Sequence, residues 1–290
     1  MIKLLALDLD GTLLDPHGVI TDRNRNAIRQ AEDRGVLVTV ATGRRFRDAR
    51  PVAYEAELNA PLITHNGALL KYGDSLKTVA ASLISPETAG EVLRAGRDFG
   101  GDALISADPA GKGTLYFDRV SDDNIPLQRY LAWSEKLHGD EAAQAVVHVG
   151  DLDEVARSTE IIHVSFSGKC GQMEDMLAAL KSELGNSVNI LATIYPLRDF
   201  TLLDVLPPDA SKGHGVEKLA ALNDIEADEV MVIGDNFNDL EMLEMAGTPV
   251  VMGNADPSLL ERAEFYTTLS NDESGVAAAI ERFILTEENI

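Results

Sequence analysis

Residues 2–12 read IKLLALDLDGT, an apolar run that ends in two acids, a glycine and a threonine. Strands buried on both faces of a parallel sheet read as continuous apolar runs, so residues 2–9 are predicted to form such a strand. Asp8 and Asp10 then lie at its carboxyl end and on the same side, because side chains alternate along a strand. Gly11 permits a tight turn after them. Two carboxylates this close repel each other unless a cation or a shared proton relieves them.

The segments that follow alternate between helix-like and strand-like patterns. Helices are predicted over residues 21–34 and 47–58, the first with Thr21 as its N-cap, and buried strands over residues 36–41 and 62–64. This alternation is typical of an α/β fold with a doubly wound, Rossmann-like parallel sheet.

The pattern changes in the middle of the chain. Residues 86–196 contain several strands and helices in an order that suits a sheet and a helical layer of their own. The parallel pattern is then predicted to return with a strand over residues 200–205. The chain is therefore predicted to have a discontinuous core, residues 1–85 and 197–290, with an inserted α/β cap domain at residues 86–196.

The composition is strongly acidic, with 25 Lys and Arg against 48 Asp and Glu and a formal net charge of −23 at pH 7. This charge repels nucleic-acid backbone and anionic membrane surfaces, so neither is an expected partner. A phosphate site must overcome the same field locally.

Cys170 is the only cysteine, no signal-like segment opens the chain, and no apolar stretch approaches membrane-spanning length, so a cytoplasmic protein is expected. The oligomeric state cannot be read from the sequence.

A second polar group follows the strand predicted over residues 36–41. The Thr42 hydroxyl and the Gly43 amide could hold a phosphoryl oxygen at the carboxyl end of that strand, and Arg44 adds positive charge nearby. Taken alone, Thr-Gly at a strand end is more often ordinary turn chemistry. Arg44 either contacts the phosphate or braces the loop.

Two further polar groups follow the predicted insertion. Lys212, in Ser-Lys-Gly, opens a helix and can offer its ammonium to a phosphate and to a crowded carboxylate. A buried strand over residues 230–233 runs into Asp235. Magnesium prefers oxygen ligands, so Asp235 converging on Asp8 and Asp10 would complete most of a protein shell.

The strand motifs all lie where ligands bind in open parallel sheets, outside the carboxyl ends of the strands. In this order Asp-x-Asp-Gly-Thr, Thr-Gly-Arg, Ser-Lys-Gly and Gly-Asp-x-x-Asn-Asp resemble the four motifs of haloacid dehalogenase superfamily phosphatases. The insertion between the second and third motifs resembles the class IIB cap of the Cof-type subgroup, and so does Asn66-Gly67 after the third strand. The resemblance covers essentially the whole chain, although the insertion matches only in position and element order.

The resemblance implies a role for each motif residue. Asp8 is the nucleophile and a metal ligand, Asp10 is the general acid and base and binds the metal through its backbone carbonyl, and Asp235 is the third protein ligand. Asp239 supports the metal's waters or Lys212. Contacts to the phosphoryl group or substrate are expected from Lys212, Thr42, Gly43, Arg44, Asn66 and Asn238.

These residues together predict a Mg²⁺-dependent phosphomonoesterase of small phosphorylated metabolites, such as sugar phosphates or phosphorylated cofactors. Asp8 attacks phosphorus to form an aspartyl phosphate, and Asp10 protonates the leaving alkoxide and later activates water. Two alternatives remain open at this stage. One is a phosphotransferase of the phosphomutase type, and the other is a catalytically silent, metabolite-binding regulator on the same scaffold.

Overall fold

The computed structural model describes residues 1–286, in which strands and helices alternate along most of the chain. The strands are β1 (Leu4–Leu7), β2 (Leu37–Val40), β3 (Leu62–Thr64), β4 (Leu69–Lys71), β5 (Thr78–Ala81), β6 (Asp102–Ala107), β7 (Thr114–Phe117), β8 (Val146–His148), β9 (Ile161–Gly168), β10 (Asn189–Tyr195), β11 (Phe200–Leu206), β12 (Val230–Gly234), β13 (Thr248–Val251) and β14 (Tyr266–Thr267). The helices are α1 (Asp22–Asp33), α2 (Phe46–Glu55), α3 (Pro86–Arg97), α4 (Ile125–His138), α5 (Ala142–Ala145), α6 (Leu152–Ser158), α7 (Cys170–Leu184), α8 (Lys212–Ala221), α9 (Leu240–Met245), α10 (Pro257–Leu260) and α11 (Gly275–Ile280). Among the described residues, no helix is long and apolar enough to cross a membrane.

The chain divides into two compact units, which are described separately. The core unit comprises Met1–Arg44, Ala49–Val79 and the residues from Ser211 onward. The insert unit comprises Arg45–Asp48 and Ala80–Ala210. The short segment Arg45–Asp48 therefore belongs to the insert unit although it lies between two parts of the core unit in the sequence.

The core unit is built on a five-stranded sheet in the order β14-β13-β12-β1-β2. Every pairing in it is parallel, and β1 and β12 are buried along their whole length, as continuous apolar strands of a parallel sheet should be. The predicted α/β class with a parallel core sheet and a separate α/β insertion is confirmed.

Side-chain caps fix where the helices next to this sheet begin. The Thr21 hydroxyl accepts a hydrogen bond from the backbone N–H of Asn24 at 3.2 Å, so α1 begins at the predicted N-cap. Ser211 caps α8 in the same way, accepting from the N–H of His214 at 3.1 Å. This cap makes Lys212 the first residue of α8.

The insert unit has a sheet of its own, in the order β10-β11-β9-β6-β7-β8. One face of this sheet carries the apolar side chains of Ile105, Val164, Phe166 and Leu203, which belong to one buried cluster with residues of α3, α6 and α7. The opposite face carries a smaller apolar cluster of Leu104, Leu115 and Leu127, together with polar side chains such as Ser165.

The strand predicted over residues 200–205 is present as β11, but its expected place in the parallel core pattern is wrong. It pairs antiparallel with β10 over seven residues and antiparallel with β9 on its other side. A one-turn 3₁₀ segment, Pro196–Arg198, and Asp199 in the left-handed conformation reverse the chain between β10 and β11. This hairpin connection keeps β11 in the sheet of the insert unit.

Candidate active site

The register of the core sheet brings three of the sequence motifs to one edge. Leu7, at the end of β1, lies opposite Val40 of β2 and Ile233 of β12. Because these strands are parallel, the residues that follow them leave the sheet side by side. Asp8 and Asp235 are therefore neighbours, with the Thr42 loop on the other side of β1.

A buried lysine joins two acids at this edge. The Nζ of Lys212 lies 2.5 Å from Oδ1 of Asp8 and 2.6 Å from Oδ1 of Asp239, and all three side chains are buried. Carboxylate oxygens of Asp8, Asp235 and Asp239 all lie within 4.8 Å of one another. Three carboxylates face one ammonium, so the cluster carries an excess of negative charge.

The loop after β12 holds Asp239 in this position. Its second oxygen accepts hydrogen bonds from the backbone N–H groups of Asp235 at 2.9 Å and Asn236 at 3.1 Å. A Cβ on Gly234 would lie 2.6 Å from Cβ of Asp239, so a glycine is needed for this close approach. Asp239 thus connects Lys212 with the loop that carries Asp235.

The turn after β1 supports Asp235 from the other side. Gly11 has a φ of 87°, and a Cβ there would overlap the Asp235 carboxylate. The Thr12 hydroxyl donates to Oδ1 of Asp235 at 3.1 Å, and Nδ2 of Asn254 donates to the Gly11 carbonyl at 2.9 Å. Neither Thr12 nor Asn254 is among the predicted site residues. Thr12 could have been found from the first motif, whereas no sequence pattern singles out Asn254.

Burial and mutual repulsion shift the pKa values of the acids upward. Burial raises the pKa of Asp8 well above its usual value, Lys212 opposes this shift, and Asp239 and Asp235 add to it. Burial, with repulsion from Asp239, raises the pKa of Asp235 to about 6. Burial lowers the pKa of Lys212, but Asp239 and Asp8 outweigh burial and the net shift is upward. Both acids thus resist ionisation here without further positive charge.

This donor set fits a divalent cation. Carboxylate oxygens are the ligands that Mg²⁺ prefers, and a 2+ ion would cancel the charge that Lys212 leaves uncompensated. The cluster includes Asp239, which was predicted to support the site rather than to line it. The Asp10 carboxylate is not part of the cluster, and only its backbone carbonyl was predicted to bind metal.

The Asp10 side chain pairs with Arg44 instead. Arg44 donates from Nε to Oδ2 at 2.8 Å and from Nη2 to Oδ1 at 2.5 Å, which is a bidentate pair. The side chain of Asp10 is 59% exposed, so the carboxylate remains open to a reactant. The backbone N–H of Arg44 donates to the Thr42 hydroxyl at 3.1 Å. Arg44 thus links the first and second motifs.

The remaining predicted residues lie in two different settings. The backbone N–H of Asn66 donates to the Thr42 carbonyl at 3.0 Å, and the Asn66 amide lies against Gly43. Asn66 therefore belongs to the same loop cluster as the second motif. Asn238 is exposed in the 3₁₀ turn Phe237–Asp239.

Comparison with known proteins assigns the family. The chain belongs to the haloacid dehalogenase-like hydrolases, because the model of that family matches residues 5–280. The predicted superfamily is thereby confirmed, and the chain is an enzyme of the hydrolase class.

Similar proteins match along nearly the whole chain. The protein YxeH of Bacillus subtilis is 32% identical over 290 residues, covering 99% of this chain and 100% of the relative. The 5-amino-6-(5-phospho-D-ribitylamino)uracil phosphatase YwtE of the same organism is 31% identical over 304 residues, covering 98% of each. A haloacid dehalogenase-like hydrolase of known structure from Bacteroides thetaiotaomicron is 25% identical, has a TM-score of 0.80, and is matched over 98% of this chain and 100% of its own. The predicted enzyme class agrees with a relative that is named as a phosphatase.

Proposed function

We propose that this protein is a Mg²⁺-dependent phosphomonoesterase that hydrolyses small phosphorylated metabolites through an aspartyl phosphate on Asp8. The observation that carries the proposal is the buried contact of Lys212 with both Asp8 and Asp239, beside Asp235, at the carboxyl edge of a parallel sheet. The family assignment supports hydrolysis, and the name of the relative YwtE supports a phosphate ester as the bond that is cleaved.

The reaction is proposed to proceed in two balanced steps. In the first, an oxygen of Asp8 forms a bond to phosphorus, the ester P–O bond breaks, and the leaving alkoxide takes a proton from Asp10. In the second, water attacks phosphorus and gives a proton to Asp10 while Asp8 departs as a carboxylate. Lys212 stabilises negative charge on the transferred group in both steps.

The metal's contribution is electrostatic. When bound, Mg²⁺ would supply the positive charge that lets an anionic carboxylate approach an anionic phosphate. Asp8, Asp235 and Asp239 offer carboxylate oxygens for it, and the Asp10 carbonyl is the further ligand that the motif resemblance implies. Thr12 orients Asp235 through its hydroxyl.

The pairing of Asp10 with Arg44 has a mechanistic consequence. Both oxygens of Asp10 accept hydrogen bonds from Arg44, so the ion pair with Arg44 weakens when Asp10 takes up the proton that it gives to the leaving group. Arg44 is therefore proposed to hold Asp10 in place between turnovers rather than to act only on the phosphate. Thr42, Gly43 and Asn238 are proposed to contact the phosphoryl group.

The insert unit is proposed to be the cap that decides which metabolite reacts, and residues 86–196 are the predicted extent of that domain. The expected setting is the cytoplasm, and the expected partner is a small phosphorylated metabolite. The core motifs are proposed to contact mainly the phosphoryl group, which all substrates share, so most of the residues that distinguish one leaving group from another are expected in the insert unit.

The test is a screen of phosphorylated metabolites with Mg²⁺, ranked by kcat/KM, with p-nitrophenyl phosphate as a generic substrate. Release of inorganic phosphate that EDTA abolishes and Mg²⁺ restores is the expected result. Equal activity in the metal-free protein would contradict the proposal. Isomerisation of a sugar phosphate that needs an added sugar bisphosphate, without net phosphate release, would indicate a phosphomutase, and no turnover of any ester would indicate a silent binding protein.

A further inference from the structure

The turn after β3 has an unusual backbone. His65, Asn66 and Gly67 follow one another with φ values of 53°, 51° and 92°. L-residues rarely adopt this left-handed region, and two non-glycine residues in succession make the conformation costly. Strain of this kind persists only where the surrounding structure imposes it, and it concentrates at functional sites.

This turn connects two elements of the candidate active site. The backbone N–H of Asn66 donates to the carbonyl of Thr42, which holds the second motif. A Cβ on Gly67 would overlap the carbonyl of Ser211, so the turn packs directly against the residue that caps the Lys212 helix. The conformation is thus imposed by contacts on both sides.

The Asn66 side chain is held in this turn without a complete set of partners. It is 4% exposed, and its Oδ1 is buried with no hydrogen-bond partner among the described residues. Its amide occupies the space where a side chain at position 43 would lie, because a Cβ on Gly43 would be 3.0 Å from Oδ1 and 3.2 Å from Nδ2. A buried acceptor without a donor is costly, and such groups are rare in folded proteins.

The chemistry of an amide oxygen limits what can bind it. A carbonyl oxygen accepts hydrogen bonds and donates none, whereas a phosphate monoester is mostly a dianion at neutral pH and offers only acceptors. The phosphoryl group is therefore not the partner of Oδ1. Within a phosphorylated substrate, only the carbon skeleton can supply a donor to Oδ1.

We propose that Asn66 Oδ1 accepts a hydrogen bond from a hydroxyl or amino group that the substrate carries close to its phosphate ester. The inference rests on the proposed phosphatase function and deepens it, because it names the substrate class. The protein selects phosphate esters of polyols, sugars or amino-bearing metabolites over esters of plain alkyl groups. Asn66 is then a specificity-determining residue on the core unit.

The substitution Asn66→Gly tests the side-chain amide separately from the backbone conformation of the turn. Glycine adopts φ of 51° without strain, so the turn is kept while the acceptor is removed. Asp224→Gly is the matched control, because Asp224 is an exposed residue with φ of 54° and relieves the same kind of strain elsewhere. Both variants are expected to have a Tm equal to or above that of the unchanged protein.

The measurement is the ratio of kcat/KM for glycerol 1-phosphate to that for n-propyl phosphate, with Mg²⁺. These esters have the same carbon chain, and only the first carries hydroxyl groups. The unchanged protein and Asp224→Gly should prefer glycerol 1-phosphate by about tenfold or more, the usual effect of leaving a buried acceptor unpaired. In Asn66→Gly the ratio should fall close to one through loss of activity on glycerol 1-phosphate. The inhibition constants of the two esters against p-nitrophenyl phosphate give a second readout of the same ratio.

The outcomes distinguish this inference from the proposed function. An unchanged ratio in Asn66→Gly, or equal losses on both esters, overturns the role of Asn66 while leaving the phosphatase intact; the first result means that water alone satisfies Oδ1, and the second that Asn66 is structural. Absence of Mg²⁺-dependent turnover in the unchanged protein overturns the proposed function, and the inference with it.

Discussion

Each of the two units buries a group of charged side chains, and the pKa values of the acids shift in opposite directions in the two groups. In the insert unit, Asp48 accepts from Nε of Arg45 and from the hydroxyl of Tyr130, both at 2.8 Å, and its other oxygen accepts from Nε2 of His138, also at 2.8 Å. Burial raises the pKa of Asp48, but the hydrogen bond from His138 and the charge of Arg45 outweigh burial and hold it at about 2. We call this group of Asp48 and its partners the balanced network, because the partners of the buried carboxylate outweigh the cost of its burial.

The active-site edge of the core unit is not balanced. The pKa of Asp8 is raised and that of Asp235 is raised to about 6. Lys212 contacts Asp8 and Asp239, the only cation placed by these contacts beside the three clustered carboxylates. Burial alone does not decide a pKa, because the buried carboxyl groups of Asp8 and Asp48 shift in opposite directions when their partners differ. Charges that are all paired help to hold a fold together, whereas a buried group with excess negative charge favours binding of a cation or a substrate.

The largest expected effect comes from removing the nucleophile from the unbalanced group. Asp8→Asn should lower kcat by about 10⁴-fold or more, as losing a nucleophile usually does. The protein should stay folded, because the change is nearly isosteric and removes one of three repelling charges. The checks are steady-state turnover and the Tm of the metal-free protein.

Asp235→Asn serves as the companion to this variant. It should also lose activity by orders of magnitude, but in its case added Mg²⁺ should recover part of it, because a ligand and not the nucleophile has been changed. Substantial residual turnover in Asp8→Asn would mean that water attacks the ester directly and that no covalent intermediate forms.

The next largest effect concerns Asp10, and it depends on the leaving group. An alkoxide is a strong base and needs a proton, whereas p-nitrophenolate leaves without one. Asp10→Asn should therefore slow the first step for sugar phosphates and spare it for p-nitrophenyl phosphate, while slowing the second step for both by about 10²- to 10⁴-fold. Rapid mixing with p-nitrophenyl phosphate should then show a burst of about one equivalent per site.

A titration with Mg²⁺ is the control for Asp10→Asn, because the backbone of residue 10 is itself a proposed metal ligand. Near-normal Mg²⁺ affinity together with a burst supports the assignment. Equal losses on sugar and aryl phosphates without a burst would show that Asp10 is not the acid and base of this site.

The balanced and unbalanced groups also differ in how far they follow from sequence. Asp8 and Asp235 were predictable because each ends an apolar strand, and parallel strands bring their carboxyl ends to one edge. The Asp48 network was not predicted. Its partners Tyr130 and His138 lie 82 and 90 residues away, and no local periodicity encodes such a pairing.

The wrong prediction of the sheet to which β11 belongs has a similar cause. The apolar pattern of β11 identifies a strand but not its neighbours, because a short buried strand reads the same in a parallel and in an antiparallel sheet. The side chain of Asn254 is a further example. Its contact with the Gly11 carbonyl spans 243 residues, so only the folded chain reveals it.

A smaller effect, on stability and not on chemistry, is expected from breaking the balanced network. Asp48→Asn leaves the buried Arg45 guanidinium without its counter-charge, which should cost about 3 kcal/mol of unfolding free energy. Urea unfolding measures this cost. Asp22→Asn is the control, since Asp22 pairs with Arg25 but its side chain is 95% exposed, and such surface pairs contribute about 0–1 kcal/mol. Equal effects of the two changes would show that the buried pair of Asp48 with Arg45 contributes no more to stability than an exposed pair.

The smallest expected effect is the pH dependence of that cost. The folded-state pKa of Asp48, about 2, lies below the ordinary value of 3.8, so the folded protein binds fewer protons than the unfolded chain. The ionised Asp48 contributes about 2 kcal/mol to the free energy of unfolding, and this contribution is fully present above pH 3.8. It is lost as pH falls through the folded-state pKa, and roughly half of it is gone by about pH 3. The urea-unfolding difference between the unchanged protein and Asp48→Asn should therefore narrow by about 1 kcal/mol between pH 5 and pH 3. Taking the difference cancels titrations common to both proteins, including those of the acids at the active-site edge. A difference that stays constant down to pH 3 would show that Asp48 has an ordinary pKa and that its partners do not outweigh its burial.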